Sequence, residues 1–115
     1  MPAAQPGGTG TYAGPMPTVL ITGASAGIGR EFAHQYAEQG YDLVLVARDE
    51  ERLRALAQEC TSRFGVSAEV LAADLVDRSA VERVARRVRS DDTPIDVLVN
   101  NAGLALKKSF THNDL

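Results

Sequence analysis

The chain has 115 residues, 44% of them hydrophobic, and its 12 basic and 15 acidic residues give a formal net charge of −3. This length allows one domain at most, and the acidic balance argues against general nucleic-acid binding, which needs a basic face. No apolar run approaches the roughly 18 residues of a membrane span, so we expect a cytoplasmic protein without membrane or nucleic-acid partners.

The first 17 residues, "MPAAQPGGTGTYAGPMP", are rich in Pro, Gly and Ala. They lack the basic start and apolar centre of a secretory signal. We expect residues 1–17 to be a disordered leader and residues 18–115 to form the domain.

The first strand and helix of that domain flank a glycine-rich loop. "TVLIT", residues 18–22, is a short apolar run that predicts a strand. The next apolar residues recur at spacings of three and four, which predicts a helix: Ile28, Phe32, Ala33, Tyr36 and Ala37. Gly40 is placed to end this helix in the left-handed conformation.

A second strand and helix follow. "DLVLVA", residues 42–47, is apolar without alternation, which is typical of a strand buried on both faces. Asp49 is predicted to cap the next helix, whose inner face includes Cys60. As the only cysteine of the chain, Cys60 cannot form an internal disulfide, and we interpret it as a small buried residue.

The third strand, helix and fourth strand complete the pattern. "VSAEVLAAD", residues 66–74, predicts a strand, and its central Glu69 suggests a place near the sheet edge. Ser79 and Glu82 have capping-box spacing, and the basic run "ERVARRVRS" is interpreted as a solvated helix side. "IDVLVN", residues 95–100, predicts the fourth strand. The alternation predicts an α/β fold with a parallel sheet.

The glycine loop contains Gly23, Gly27 and Gly29. In a parallel sheet, ligands bind beyond the carboxyl ends of the strands, and a helix start there suits a phosphate or pyrophosphate. The alternative is a tight turn that only lets the helix pack on the strand. The spacing Gly-x3-Gly-x-Gly differs from the commonest dinucleotide fingerprint, and no Gly-Lys-Ser/Thr of a Walker A loop is present.

Arg48 ends the second strand, 19 positions after Gly29. An acidic residue near this place binds the adenosine ribose of NAD, whereas a guanidinium can pair with a 2′-phosphate. Arg48 therefore favours NADP(H) over NAD(H), although Asp49 beside it is acidic. Arg30 could add a second positive charge, or could simply be solvated in the first helical turn.

Three motifs resemble the short-chain dehydrogenase/reductase family: "TGASAGIG" at residues 22–29, "ADL" at 73–75 and "NNAG" at 100–103. The resemblance implies a Rossmann-type, doubly wound parallel sheet with strand order 3-2-1-4. It also implies cofactor contacts to the pyrophosphate and ribose, the 2′-phosphate, the adenine and the nicotinamide half. In chain order these are Gly23, Ser25, Gly27, Ile28, Gly29, Arg48, Asp74, Leu75, Asn100, Ala102 and Gly103.

Two of these residues, Asp74 and Asn100, have simpler interpretations, and Asn101 shares that of Asn100. Asp74, which the resemblance places at the adenine amino group with Leu75 beside the ring, could instead form a turn or cap a helix. Asn100 and Asn101 could hydrogen-bond within the end of the sheet.

The family's catalytic residues have no counterpart in this chain. They are an Asn on the helix after the fourth strand, a Ser after the fifth strand and a Tyr-x3-Lys pair, and no tyrosine here has a lysine four residues on. We therefore expect a fragment, truncated after the fourth strand, of an oxidoreductase that transfers hydride between NADP(H) and a carbonyl or secondary alcohol. The 115 residues alone are expected to be inactive.

Two alternatives stay open. The first is a non-catalytic nucleotide-binding or interaction module that uses the exposed edge of the fourth strand. The second is an S-adenosylmethionine-dependent methyltransferase, although this class usually has an acidic residue where Arg48 stands. The apolar fourth-strand edge also predicts self-association of the fragment, while full-length relatives are expected to be homo-oligomers.

Overall fold

The computed structural model describes residues 16–101, in which strands and helices alternate as predicted. The elements are β1 (Thr18–Thr22), α1 (Gly27–Glu38), β2 (Asp42–Ala47), α2 (Glu50–Phe64), β3 (Ala68–Ala72), α3 (Arg78–Val88) and β4 (Val97–Asn100). The four strands form one parallel sheet in the order β3-β2-β1-β4. This confirms the Rossmann-type α/β fold. The predicted leader lies outside the described residues except for Met16 and Pro17, and it stays a prediction.

The strand register aligns the carboxyl ends of the four strands. Thr22 at the end of β1 lies opposite Val46 of β2 and Asn100 of β4. Ala47, the last residue of β2, lies opposite Ala72 of β3. The described residues that directly follow the four strands therefore lie along one edge of the sheet, where ligands bind in folds of this kind.

The two faces of the sheet carry separate clusters of buried side chains. Val19 and Ile21 of β1 pack on the side of α1 and α2, whereas Leu20 packs on the side of α3. β2 is divided in the same way, which explains why its sequence is apolar without alternation. Coverage is incomplete at β4, where Leu98 is 39% exposed.

The ends of the helices test the predicted caps. Asp49 caps α2 as expected, because its carboxylate accepts a hydrogen bond from the Arg52 N–H at 3.1 Å. The capping box at Ser79 is wrong: Asp77 is the N-cap of α3 and accepts from the Ser79 N–H at 2.9 Å. The Ser79 hydroxyl also donates to this carboxylate at 2.9 Å, and the two hydrogen bonds lower the pKa of Asp77. Asp77 directly precedes the helix, and its short side chain places a carboxylate oxygen where it can accept from the first turn. Ser79 therefore lies inside that turn and is not the cap. Gly40 follows α1 with a φ of +95°, as predicted.

The basic run of α3 is bound to the edge of the sheet rather than only solvated. β3 is an edge strand, as its Glu69 predicted, and Arg87 pairs with that carboxylate at 3.0 Å. Arg87 also donates to the Thr93 carbonyl oxygen at 2.8 Å, and Arg83 donates to that of Ala72 at 3.2 Å. The Arg87 side chain is only 14% exposed. The solvated-face prediction was therefore wrong for Arg87, whose partners come from other elements.

No helix within residues 16–101 combines the length and the apolar character needed to cross a bilayer.

Candidate functional site

Two positions of the glycine loop between β1 and α1 require glycine for different structural reasons. Gly27 has a φ of +59°, and a Cβ atom added to it would meet nothing within 4 Å. Gly29 has a normal φ, but its Cβ would lie 2.0 Å from the Gly23 carbonyl oxygen. Gly29 thus lets helix and loop pack closely, as the turn interpretation proposed. Gly27 instead leaves open space beside the start of α1, where the backbone can be approached from outside.

The first turn of α1 has no side-chain cap. Its N-cap is Ala26, whose side chain has no acceptor, and the turn contains no acidic residue. By contrast, α2 and α3 begin with the carboxylates of Asp49 and Asp77. The first N–H groups of a helix lack partners within the helix and carry a partial positive charge. The start of α1 is therefore suited to an anion, and the exposed Ile28 lies in this turn.

Neighbouring strands hold the loop in place. The Ala24 N–H donates to the Val46 carbonyl oxygen of β2 at 3.2 Å. The buried Thr22 hydroxyl donates to the side-chain oxygen of Asn100 at 3.1 Å. The Asn101 amide donates to the Gly23 carbonyl oxygen at 3.3 Å. Both asparagines therefore have the hydrogen-bonding role given above as the alternative. Asn101 was not among the predicted cofactor contacts, although its position in the "NNAG" motif could have indicated that it belongs to the site.

Arg48 directly follows β2 and is exposed. Among residues 16–101, no carboxylate lies within ion-pair distance of its guanidinium. The neighbouring acidic group is used elsewhere, because Asp49 caps α2 and pairs with Arg52 at 3.4 Å. Arg48 is therefore a cation available at the carboxyl edge of the sheet.

Asp74 and Leu75 follow β3 at the same edge. The Asp74 carboxylate accepts from the Val76 N–H at 3.1 Å, and its carbonyl oxygen accepts from the Asp77 N–H at 2.9 Å. These bonds form the turn that leads into α3. Leu75 is partly buried against the cluster on the α3 side of the sheet. Asp74 thus has the predicted turn role, and one oxygen of its exposed carboxylate makes no such bond.

A groove of about 440 Å³ lies between the glycine loop and α2. Its lining includes Ser25, Ala26 and Gly27 from the loop, Arg30 from α1, and Arg52 and Glu59 from α2. Sequence reasoning selected Ser25 and Gly27 but gave no indication of the side chains from α2. Their contribution depends on how α2 packs beside α1.

The structure places nine of the predicted site residues on the carboxyl-edge segments of the sheet: Gly23, Ser25, Gly27, Ile28, Gly29, Arg48, Asp74, Leu75 and Asn100. Ala102 and Gly103 lie outside the described residues. The arrangement joins an uncapped helix start, an available guanidinium and a carboxylate along one edge. Together these groups offer donors to phosphates and an acceptor to an amino group.

Comparison with known proteins gives the family. Residues 17–115 match the short chain dehydrogenase family. The chain is 44% identical over 84 residues to the very-long-chain 3-oxoacyl-CoA reductase of Candida glabrata, covering 73% of this chain and 24% of that protein. It is 46% identical over 88 residues to sulfoacetaldehyde reductase 2 of Chromohalobacter salexigens, covering 76% and 34%.

Solved structures agree with this match. The short-chain dehydrogenase of Sphingobium yanoikuyae in complex with NADPH has a TM-score of 0.73 and 50% identity, over 77% of this chain and 34% of that one. The L-sorbose reductase of Gluconobacter frateurii, complexed with NADPH and L-sorbose, has a TM-score of 0.70 and 39% identity, over 77% and 34%.

The chain thus spans about a quarter to a third of the length of these relatives. The matches leave the methyltransferase alternative without support. On its motifs, its sheet order and these matches, the chain belongs to the short-chain dehydrogenase/reductase family of oxidoreductases.

Proposed function

We propose that this chain supplies the cofactor-binding part of an oxidoreductase that transfers hydride between NADP(H) and a carbonyl or secondary alcohol. One observation carries the proposal: the start of α1, which has no side-chain cap, and Arg48, which has no ion-pair partner within residues 16–101, lie along the same edge of the sheet. NADPH in the solved structures of two relatives supports it. When bound, the cofactor supplies the hydride chemistry, while the protein supplies binding and orientation.

The preference for NADP(H) rests on Arg48. A guanidinium can pair with a 2′-phosphate through two parallel hydrogen bonds, whereas a carboxylate at this place would repel it. Asp49, the acidic neighbour, is already bound to the Arg52 N–H and guanidinium. It is therefore held toward α2, and the end of β2 presents a net cation.

The remaining residues have roles that follow from their placement and the family resemblance. The N–H groups at the start of α1, including those of Ile28 and Gly29, donate to the pyrophosphate. The open space at Gly27 lets it approach. Asp74 accepts from the adenine amino group, with Leu75 beside the ring. Asn100 extends the site toward the nicotinamide half, and the family resemblance alone adds Ala102 and Gly103, which lie outside the described residues.

Among residues 16–101, neither of the two tyrosines is placed to transfer a proton at the candidate site. Tyr36 lies in α1, and Tyr41 precedes β2 at the amino edge of the sheet, opposite the candidate site. Their rings pack edge to face at 4.9 Å between centroids. Neither hydroxyl can therefore act at the carboxyl edge, where a general acid must lie within hydrogen-bond reach. We propose that the 115-residue chain alone does not turn over substrate.

The experiment is a titration of the chain with NADP⁺ and NAD⁺, followed by amide chemical shifts so that weak binding is measurable. Arg48→Asp should weaken NADP⁺ binding by about tenfold or more, the size expected for charged hydrogen bonds, and should leave NAD⁺ binding nearly unchanged. Arg86→Asp, on the exposed side of α3, is the control with the same charge change. An unchanged ratio of the two dissociation constants in Arg48→Asp would show that Arg48 does not contact the 2′-phosphate.

A second candidate function is a non-catalytic interaction module that pairs through β4. It is favoured by the place of β4 at the end of the described sheet and by the partly exposed Leu98. A cooperative thermal transition and a single species in size-exclusion chromatography, together with no affinity for either dinucleotide, would support this candidate over the first.

A further inference from the structure

Glu59 of α2 is the centre of a charged cluster at the groove beside the glycine loop. Its Oε1 atom lies 3.3 Å from a guanidinium nitrogen of Arg30, and its Oε2 atom lies 3.2 Å from one of Arg63. The same Oε2 atom lies 3.3 Å from Nε2 of His34. One carboxylate thus lies within ion-pair distance of three basic side chains, two of which belong to α1.

This cluster fixes the position of Arg30. Arg30 lies in the first turn of α1, directly after Gly29, and its half-exposed side chain lines the groove. The pair with Glu59 joins residues that are 29 apart in sequence and draws the guanidinium toward α2. The second positive charge that the sequence suggested beside the glycine loop is therefore present, but it is already paired.

Glu59 remains charged in this environment. The close contact with the His34 imidazole, the hydrogen bond from Arg63 and the nearby positive charge of Arg30 lower the pKa of Glu59, although partial burial opposes the effect. The groove wall next to Ser25, Ala26 and Gly27 therefore carries a negative charge along with its arginines.

The groove shares two lining residues, Ser25 and Gly27, with the proposed cofactor site. Arg52, which also lines the groove, comes four residues after Arg48 in the sequence and lies in the first turn of α2. A phosphate dianion bound at Arg48 would experience both the paired Arg30 and the carboxylate that pairs with it. The net charge of this cluster acts on NADP(H) more strongly than on NAD(H), which lacks that phosphate.

We propose that Glu59 determines how strongly the chain discriminates NADP(H) from NAD(H), by holding Arg30 against α2 and keeping the groove beside the glycine loop near electrical balance. The inference rests on the proposed function and concerns the same site. Glu59 contacts no cofactor atom in this scheme and acts as a positioning residue through Arg30.

The test is a double-mutant cycle on the 115-residue chain, with NADP⁺ and NAD⁺ as the probes. Glu59→Gln removes the charge and releases Arg30, so the dissociation constant of NADP⁺ should fall by about threefold to tenfold, as expected for a charge near a dianion in water. The constant of NAD⁺ should change less than about twofold. Adding Arg30→Gln to Glu59→Gln restores the electrical balance and should return the ratio of the two constants to its original value.

Two further variants complete the design. Glu82→Gln removes one negative charge from the exposed side of α3, on the opposite face of the sheet, and should leave the ratio unchanged. Arg30→Gln alone removes one positive charge from the cluster while Glu59 keeps its negative charge beside Arg63, and it should weaken NADP⁺ selectively. If Glu59→Gln does not fold, as judged by far-ultraviolet circular dichroism, the Arg30→Gln variant takes its place. An unchanged ratio of the two dissociation constants in Arg30→Gln then contradicts the inference.

The outcomes separate the two proposals. If the unmodified chain binds neither dinucleotide, the proposed function is wrong and the role of Glu59 falls with it. If the unmodified chain prefers NADP⁺ but Glu59→Gln leaves the ratio unchanged or lowers the preference, only the role of Glu59 is overturned.

Discussion

The side-chain amide of Asn101 donates to the Gly23 carbonyl oxygen at 3.3 Å and so links the end of β4 to the glycine loop. The same oxygen lies 2.0 Å from the place of a Cβ atom on Gly29. One carbonyl group of the loop is therefore enclosed by β4 on one side and by α1 on the other. The loop has little freedom to change its path without disturbing both elements.

Asn101→Ala should lower the free energy of unfolding by about 0.5–1.5 kcal/mol, the usual contribution of one hydrogen bond. Asn101→Asp should cost more, because it replaces the donor with a carboxylate facing a carbonyl oxygen. Urea unfolding measures both variants. Equal stability of Asn101→Asp and the unmodified chain would show that the amide does not hold the loop.

Gly29→Ala should destabilise the fold by about 1–3 kcal/mol, the cost typical of overpacking. The added methyl group overlaps the Gly23 backbone, which cannot move away as a flexible side chain can. The midpoint of urea unfolding reports the loss. Gly65→Asn is a comparison at an open position with a φ of +74°, and it should cost much less because Asn tolerates this conformation. Similar losses in the two variants would contradict the close packing at Gly29.

Gly27→Asn should keep the fold and lose affinity for the dinucleotide. Asparagine tolerates the φ of +59° at this position, and its side chain would occupy space that is open in the structure. Circular dichroism should show unchanged helix content, while NADP⁺ and NAD⁺ both bind at least about tenfold more weakly, which corresponds to about 1.4 kcal/mol. Retained affinity would mean that the glycine serves only the turn.

Cys60 should make the stability of the fold fall at alkaline pH. Burial raises the pKa of its thiol to about 11, whereas the thiol of an unfolded chain titrates near pH 8.5. Between these values the unfolded state loses its proton and the folded state keeps it, so stability decreases as pH rises, by up to about 1.4 kcal/mol per pH unit. The contribution is fully present below about pH 8.5.

Urea unfolding of the unmodified chain and of Cys60→Ala between pH 8 and 11 isolates this contribution. The variant should show the smaller decrease, since other groups titrate equally in both chains. Because Cys60 is the only cysteine, alkylation at pH 8 should also be slow in the folded chain and rapid in urea. Parallel pH profiles would contradict the expected effect.

The sequence patterns predicted the fold closely where the signal is local. β1 and β2 have their predicted bounds, because each is a continuous apolar run with a glycine or a charged residue at its end. β3 and β4 are shorter than predicted. β3 lacks two predicted residues at each end and β4 lacks two at its start, because these residues lie outside the paired register of the sheet. The cap of α3 was missed because Asp77 and Ser79 both have cap chemistry, and only the backbone path distinguishes them.

The ion pairs between side chains of different helices and strands could not be predicted from the sequence. Arg87 and Glu69 are 18 residues apart, and Arg30 and Glu59 are 29 apart. Neither pair has a spacing that any periodic pattern selects. Their meeting depends on which faces of the helices pack on the sheet and at what angle. The glycine loop and Arg48 could be selected because strand ends at one sheet edge follow from chain order alone.

The strand order also sets a sequence of events for folding. β1 pairs with β2 across 24 residues of sequence but with β4 across 78, as in Val19 with Leu43 and with Val97. Closing the longer loop costs about 1 kcal/mol more in chain entropy, and such distant pairings slow folding. We therefore expect β1, β2 and the helices between and after them to assemble first, and β4 to join late. Until it does, the Gly23 carbonyl lacks Asn101, and the newly folded glycine loop is not yet held in its final shape.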